Sequence, residues 1–446
     1  MMLMKILFIS LGCDKNTVDS EMMLGILSGR GYEITDSEED ADAAVINTCC
    51  FIGDAKQESI DNILQMTDLK QRGKLKAVVV TGCLGQRYAD EIHSEIPQVD
   101  AILGISSWDK IADTLDGLLI KKESVTDELA DIQTPALCGY DRLLTSGGHY
   151  AYMKIAEGCN KRCTYCVIPH VRGNYRSVPM ETLVKEAESL AQRGVKELIL
   201  VAQETTLYGT DIYREKALPK LLKELAGVEG IRWIRILYCY PEEITDELIK
   251  TIAEEPKVCH YLDIPIQHAS DRILARMARK TTRAQITERI KRLREVIPDI
   301  TLRTTFITGF PGETHSDFAQ LMDFVGEIGF ERLGAFTYSR EEGTKAAGMK
   351  RQVPEIVKRM RRDRLMRLQQ KIAWEKASWC VGETVDAMIE GRLVEEGVYV
   401  ARTYRDAPGV DGEVFIESSR DLMSGDMVRV KITGSREYDL VGELIE

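Results

Sequence analysis

Ala151-Tyr152-Met153-Lys154-Ile155-Ala156-Glu157-Gly158-Cys159-Asn160-Lys161-Arg162-Cys163-Thr164-Tyr165-Cys166 is the stretch that decides the fold. A short apolar strand, 151–156, runs into a polar loop carrying Cys159, Cys163 and Cys166 at the spacing C-x-x-x-C-x-x-C. A cubane iron–sulfur cluster has four irons, so a loop that gives three thiolates leaves one iron open to a substrate or cofactor. Structural zinc normally closes a tetrahedron with four ligands, often from paired C-x-x-C knuckles, and no second knuckle is present. Three unrelated core cysteines would sit on an apolar face, whereas these lie among Gly158, Asn160, Lys161 and Arg162.

Downstream, strand candidates recur at 197–202, 233–238, 262–266, 301–307 and 334–337 with helices between them. Repeated strand–helix units predict a partial (β/α)6 TIM-like barrel, whose reactive groups collect at the C-terminal mouth of its strands. The cysteine loop follows the first of these strands, which puts it at that mouth. The second strand ends in Gln203, Glu204 and Thr205, a set of donors and acceptors suited to an amino-acid zwitterion. The fifth ends in Thr308-Gly309-Phe310-Pro311-Gly312-Glu313-Thr314, whose glycines allow close backbone approach to a ligand. Tyr165 could stack its ring on a purine. Each has an ordinary alternative: a turn for the two loops, packing for the ring.

Upstream, strands at 5–10, 43–47, 76–81 and 101–103 alternate with helical stretches, which predicts a doubly wound parallel sheet. The first three end in Leu11-Gly12-Cys13, Asn47-Thr48-Cys49 and Thr81-Gly82-Cys83, the cysteines 36 and 34 residues apart. Ligands of open parallel sheets gather at the carboxyl ends of strands, so these cysteines would converge on one crevice as a second three-thiolate site. Spacing alone leaves open that they do not. Of Cys49 and Cys50 only one should face the crevice, because side chains alternate in extended chain. Cys50, Cys138, Cys239, Cys259 and Cys380 have no partner at ligand spacing and read as core or linker residues.

Charge, Pro135 and the glycines Gly139, Gly147 and Gly148 mark a boundary between about 121 and 148. The expected domains are 1–125, a linker at 126–147, 148–379 and 380–446. A basic stretch at 355–379 carries Lys358, Arg359, Arg361, Arg362, Arg364 and Arg367, either as a solvated face or as an RNA or ribosome contact. The tail changes to short alternating strands, including 413–416 and 427–432, and predicts a small β-barrel.

With 446 residues, 44% hydrophobic and 29% charged, the chain has the composition of a soluble globular protein of two or three domains. It shows no secretory pattern and no apolar run of about 18 residues, so a cytoplasmic protein without membrane contact is expected. Eleven cysteines in a reducing compartment argue for metal ligation or redox chemistry over disulfides. The net charge of −12 speaks against nonspecific adhesion to nucleic acid, DNA included.

The cysteine loop and the barrel-mouth residues resemble the radical S-adenosylmethionine (SAM) superfamily. Leu11-Gly12-Cys13-Asp14-Lys15-Asn16-Thr17-Val18-Asp19-Ser20-Glu21, Asn47-Thr48-Cys49 and Thr81-Gly82-Cys83 resemble the N-terminal motifs of the methylthiotransferases within it, and the tail resembles a TRAM domain. That resemblance implies two 4Fe–4S clusters, one on Cys159, Cys163 and Cys166, the other on Cys13, Cys49 and Cys83. Tyr165, Gln203, Glu204, Thr205, Gly309 and Glu313 are then the expected SAM contacts. Cys50 departs from the family pattern, which usually has a small residue there. Leu-Gly-Cys-Asp-Lys-Asn followed by Val-Asp-Ser-Glu, with Ala401–Gly412 in the tail, resembles the RimO branch, which modifies ribosomal protein S-12, more than the tRNA-modifying MiaB branch. The implied reaction is methylthiolation of an aspartate β-carbon with two SAM molecules, one as methyl donor and one as radical source. A flavodoxin or ferredoxin would supply electrons; the sulfur donor is not indicated. From residue 380 onward fifteen acidic residues face seven basic ones, a net of −8, which suits a basic ribosomal protein better than RNA phosphates.

Overall fold

The computed structural model describes residues 4–123, 127–395 and 397–445. The boundary expected at 125/126 and the tail acids Glu396 and Glu446 lie outside the described residues. Two compact units emerge, one of Met1–Thr145, Tyr152–Leu183 and Ser339–Thr344, the other of Ser146–Ala151, Val184–Tyr338 and Lys345–Glu446.

In the first unit β1 (Lys5–Ser10), β2 (Glu33–Thr35), β3 (Ala43–Thr48), β4 (Ala77–Thr81) and β5 (Ala101–Leu103) pair in parallel in the order β2-β1-β3-β4-β5. Runs such as Ala77-Val78-Val79-Val80 carry no polar alternation because helices cover both faces. On one face Ala43, Val45 and Val79 bury against Val18, Met22 and Leu27 of α1 (Asp14–Arg30). On the other, Ala44, Ile46, Val78 and Val80 bury against Ile63 and Met66 of α2 (Gly53–Gln71) and Leu84 of α3 (Gly82–Arg87). This is the doubly wound sheet expected from the alternation. The edge strand β2 was not anticipated, since three residues are too few to show a period. Later in the chain β6 (Tyr150–Lys154) leads into β7 (Ala156–Glu157), which pairs antiparallel with β8 (Arg176–Ser177) and closes the base of the cysteine loop.

The second unit holds β9 (Glu197–Val201), β10 (Trp233–Ile236), β11 (Val258–Gln267), β12 (Thr301–Thr308) and β13 (Arg332–Thr337), parallel throughout. The sheet order β13-β12-β11-β10-β9-β6 is that of a partial barrel. The strand at 262–266 proves longer, because Cys259 and His260 had masked its start. After the helix Glu355–Trp379, the strands β14 (Thr384–Leu393), β15 (Val398–Thr403), β16 (Val414–Glu417), β17 (Met427–Arg436) and β18 (Asp439–Leu444) form a closed barrel around Ala387, Ile389, Ala401, Val414, Ile416 and Val430.

Ion pairs fasten this small barrel to the parallel sheet. Glu197, the first residue of β9, is 0% exposed; it accepts from Arg235 Nε and from Arg402 Nη2, each at 2.7 Å. Arg332 pairs with Asp406, and Tyr261 donates to Asp411 Oδ2 at 2.7 Å. Glu197 and Arg332 open their strands, so the contact is made at the N-terminal ends, away from the mouth. Two acids counted in the tail, Asp406 and Asp411, are thus engaged internally.

Candidate functional site

All six candidate ligands lie in the first unit. Cys13, Cys49 and Cys83 follow β1, β3 and β4, three adjacent strands, and the reversal of chain direction across the sheet falls between β1 and β3. That switch point is where open parallel sheets bind ligands. Cys13 is the N-cap of α1, and Cys83 is the second residue of α3. Two glycines permit the convergence. Gly12 has φ +97°, and a Cβ on it would lie 2.8 Å from Cys49 Cβ. Gly82 has φ +89°, and its Cβ would lie 2.3 Å from Asn47 Oδ1. Polar stitches hold the strand ends: Asn16 Nδ2 donates to the carbonyls of Leu11 and Thr48, both at 2.9 Å. Asn47 Nδ2 reaches Ser20 Oγ at 2.9 Å, and Ser59 Oγ brackets Cys49, accepting from its N–H at 3.0 Å and donating to its carbonyl at 2.9 Å.

Burial, then the charge of Cys83, pushes the Cys49 thiol up to about 12. Burial also raises Cys83, with Arg172 opposing and Cys13 adding to it. Cys50 is buried among Leu84, Ala89 and Ile92, its Sγ 3.3 Å from the Cys83 carbonyl, as a core residue would be. The Cys49 side chain instead faces Gly12 on the loop that carries Cys13.

The second trio sits on a loop turned by Gly158 (φ +76°), where a Cβ would lie 2.1 Å from the Asn174 carbonyl oxygen. Cys159 N–H donates to Gly173 O at 3.1 Å, Cys166 N–H to Cys163 O at 3.1 Å, and Tyr175 N–H to Asn160 Oδ1 at 3.1 Å. Burial raises the Cys166 thiol, and Cys163 and Cys159 add to it. Tyr165, between the ligands, is half-buried.

The five barrel-mouth residues belong to the second unit. Gln203 is half-buried. Glu204 caps its own turn, Oε1 accepting from Thr206 N–H at 3.1 Å, and Thr205 donates its hydroxyl to Leu237 O at 2.5 Å. Glu313 accepts from the N–H groups of Gly309 (2.6 Å) and Phe310 (3.1 Å) and from Arg361 (2.8 Å). Burial still raises its carboxyl despite these donors. The space beside Gly309 is taken by Lys358, whose Cγ would lie 2.2 Å from a Cβ there, so the close approach expected of a ligand is made by a side chain of this chain. The basic stretch therefore splits. Lys358 and Arg361 are buried supports of the mouth, while Arg359, Arg364 and Arg367 are exposed.

Three family models match the chain in succession: an uncharacterized protein family, UPF0004, at 5–104, the Radical SAM superfamily at 153–325 and a TRAM domain at 381–445. A ribosomal protein uS12 methylthiotransferase RimO from Lachnoclostridium phytofermentans is 55% identical over 98% of this chain and 99% of its own. The chain belongs to the RimO family of methylthiotransferases. A second RimO, from Acetivibrio thermocellus, is 48% identical over 99% of this chain and 98% of its own. Among solved structures, the radical S-adenosylmethionine methyltransferase TsrM from Kitasatospora setae, with cobalamin and a 4Fe–4S cluster bound, matches with TM-score 0.57 at 16% identity over 77% of each chain. That likeness is one of fold.

For a member of the RimO family, the donor set fits two iron–sulfur groups. Buried thiols stay protonated unless a cation takes the proton's place, and each trio offers sulfur donors only, the preference of iron–sulfur clusters. Among the described residues no three Cys, His, Asp or Glu side chains close on a single-ion point. Ligands of a cubane bind different irons and stand further apart than ligands of one ion. The residues that sequence reasoning missed are the supports, Asn16, Asn47, Ser59 and Arg172. Their signal was a polar side chain flanking an apolar strand or a cysteine loop.

Proposed function

We propose that this chain methylthiolates the β-carbon of an aspartate in ribosomal protein uS12. What supports this most is the presence of both cysteine trios, one after three adjacent strands and one on a single loop, in one compact unit, in a chain whose full-length relatives bear that name. The hydrogen replaced sits on an unactivated carbon and is not acidic, so a general base offers little. Cys13, Cys49 and Cys83 hold an auxiliary 4Fe–4S cluster; Cys159, Cys163 and Cys166 hold the one that receives SAM. Those groups supply the electron, the radical and the methylthio chemistry.

The chain's own residues bind, orient and shield. Tyr165, half-buried on the cysteine loop, is the side chain proposed to meet SAM directly. Glu204 and Thr205 act through the loop after β9, bonding Thr206 and the Leu237 carbonyl, and Glu313 fixes the backbone at Gly309. A flavodoxin or ferredoxin delivers electrons in the cytoplasm. Among the described residues no helix is long and apolar enough to cross a membrane.

The tRNA alternative is not favoured, since the relatives aligned over the whole chain carry the ribosomal-protein name. The charge argument supports the choice less than the tail's total of −8 suggested. With Asp406 and Asp411 engaged, exposed Arg420, Arg429, Lys431 and Arg436 mix with the remaining acids. Mass spectrometry of digested uS12 from cells with and without the gene tests the proposal. One aspartate peptide should carry a methylthio group in place of hydrogen only when the gene is present. Unchanged uS12 with a methylthio nucleoside lost from tRNA would overturn it.

A further inference from the structure

Arg172 is 1% exposed and lies six residues beyond Cys166, outside both thiol loops. Its guanidinium uses every edge. Nε–H points at Cys83 Sγ, 3.3 Å away. Nη1 donates to Glu157 Oε2 at 2.8 Å and to Asp19 Oδ2 at 3.4 Å, while Nη2 donates to Asn16 Oδ1 and, at 3.4 Å, to Asp19 Oδ2. Lys154 closes the network, pairing with Asp19 and, at 2.9 Å, with Glu157 Oε2. The carboxylates of Asp19 and Glu157 balance the two cations. The surroundings explain the geometry: Asn16 and Asp19 lie on α1 directly after Cys13, and Glu157 precedes Gly158 and Cys159. Only a rigid planar fork can serve a sulfur and three oxygen acceptors at once; an ammonium cannot.

We propose that Arg172 is a positioning residue that fixes Cys83 and, through the hydrogen bond from Nε to its sulfur, makes the group held by Cys13, Cys49 and Cys83 easier to reduce. This rests on the reading that the first trio binds an iron–sulfur cluster. Reduction adds negative charge, part of which falls on the ligand sulfurs, so a cationic donor on one of them favours the reduced form.

The test uses the full-length chain carrying Cys159→Ala, Cys163→Ala and Cys166→Ala, reconstituted anaerobically so that only the first site can fill. Its midpoint potential is followed by electron paramagnetic resonance during reductive titration. Failure of this parent to bind iron would overturn the cluster reading rather than the role of Arg172. Given iron in the parent, Arg172→Lys should keep the iron and shift the midpoint to more negative potential. Because a lone change can unbalance the buried charges, a second variant pairs Arg172→Gln with Glu157→Gln, leaving Lys154 opposite Asp19; with the charge balance kept, loss of the hydrogen bond to Cys83 should still shift the midpoint in the same direction. An unchanged midpoint in both variants would overturn the proposal. So would loss of iron from a chain that keeps its melting temperature, which would make Arg172 an assembly residue instead.

Discussion

The glycines before the cysteines do as much for the sites as the sulfurs that follow them. Gly12, Gly82 and Gly158 each hold a left-handed φ, and each abuts an atom that a methyl group would strike. Gly158→Ala combines about 1–2 kcal/mol of left-handed backbone strain with a 2.1 Å overlap on the Asn174 carbonyl. It should lower the melting temperature and release the iron proposed to be held by Cys159, Cys163 and Cys166; a variant that keeps both would refute this account of the loop. The sequence showed Gly-Cys three times, and only coordinates reveal why no other residue fits. Likewise Cys159, Cys163 and Cys166 were legible because their ligand spacing is local. Arg172 was not, because its value lies in partners up to 156 residues away.

At the level of elements, alternation of apolar runs revealed both parallel sheets and the terminal barrel, since hydrophobic period is a local property. What stayed hidden was how charged residues cross between elements. Glu197 looks like the polar first residue of a strand, yet its partner Arg402 lies 205 residues on. Burial opposes its charge, but Arg402 and Arg235 outweigh that and hold the carboxyl below its usual range. A depressed folded-state pKa stabilises above the unfolded value and loses that contribution as pH falls through the folded one. Glu197→Gln should therefore destabilise the unit by about 3–5 kcal/mol near neutral pH, as breaking a buried pair does. The gap from wild type should narrow below about pH 4.5, the carboxyl's ordinary value. Chemical denaturation across that range would show it, and a gap that is small at pH 7 or independent of pH would contradict the assignment. The basic helix teaches the converse lesson. Its charges looked like one surface, but two of them, Lys358 and Arg361, reach inward to support the loop at Gly309 and Glu313.

At the scale of the whole molecule, one unit carries both a sheet with a cysteine after each of three adjacent strands and a loop with three more cysteines. Six cysteines in one unit, Cys13 and Cys166 half-buried and the other four buried, are what the proposed two-cluster chemistry requires. Iron and acid-labile sulfide counted in the anaerobically reconstituted chain, and in its two triple variants, test this most directly. The intact chain should hold about eight irons, and about four should remain after Cys13→Ala, Cys49→Ala and Cys83→Ala, or after Cys159→Ala, Cys163→Ala and Cys166→Ala. About four irons in the intact chain, or zinc in place of iron, would contradict the account.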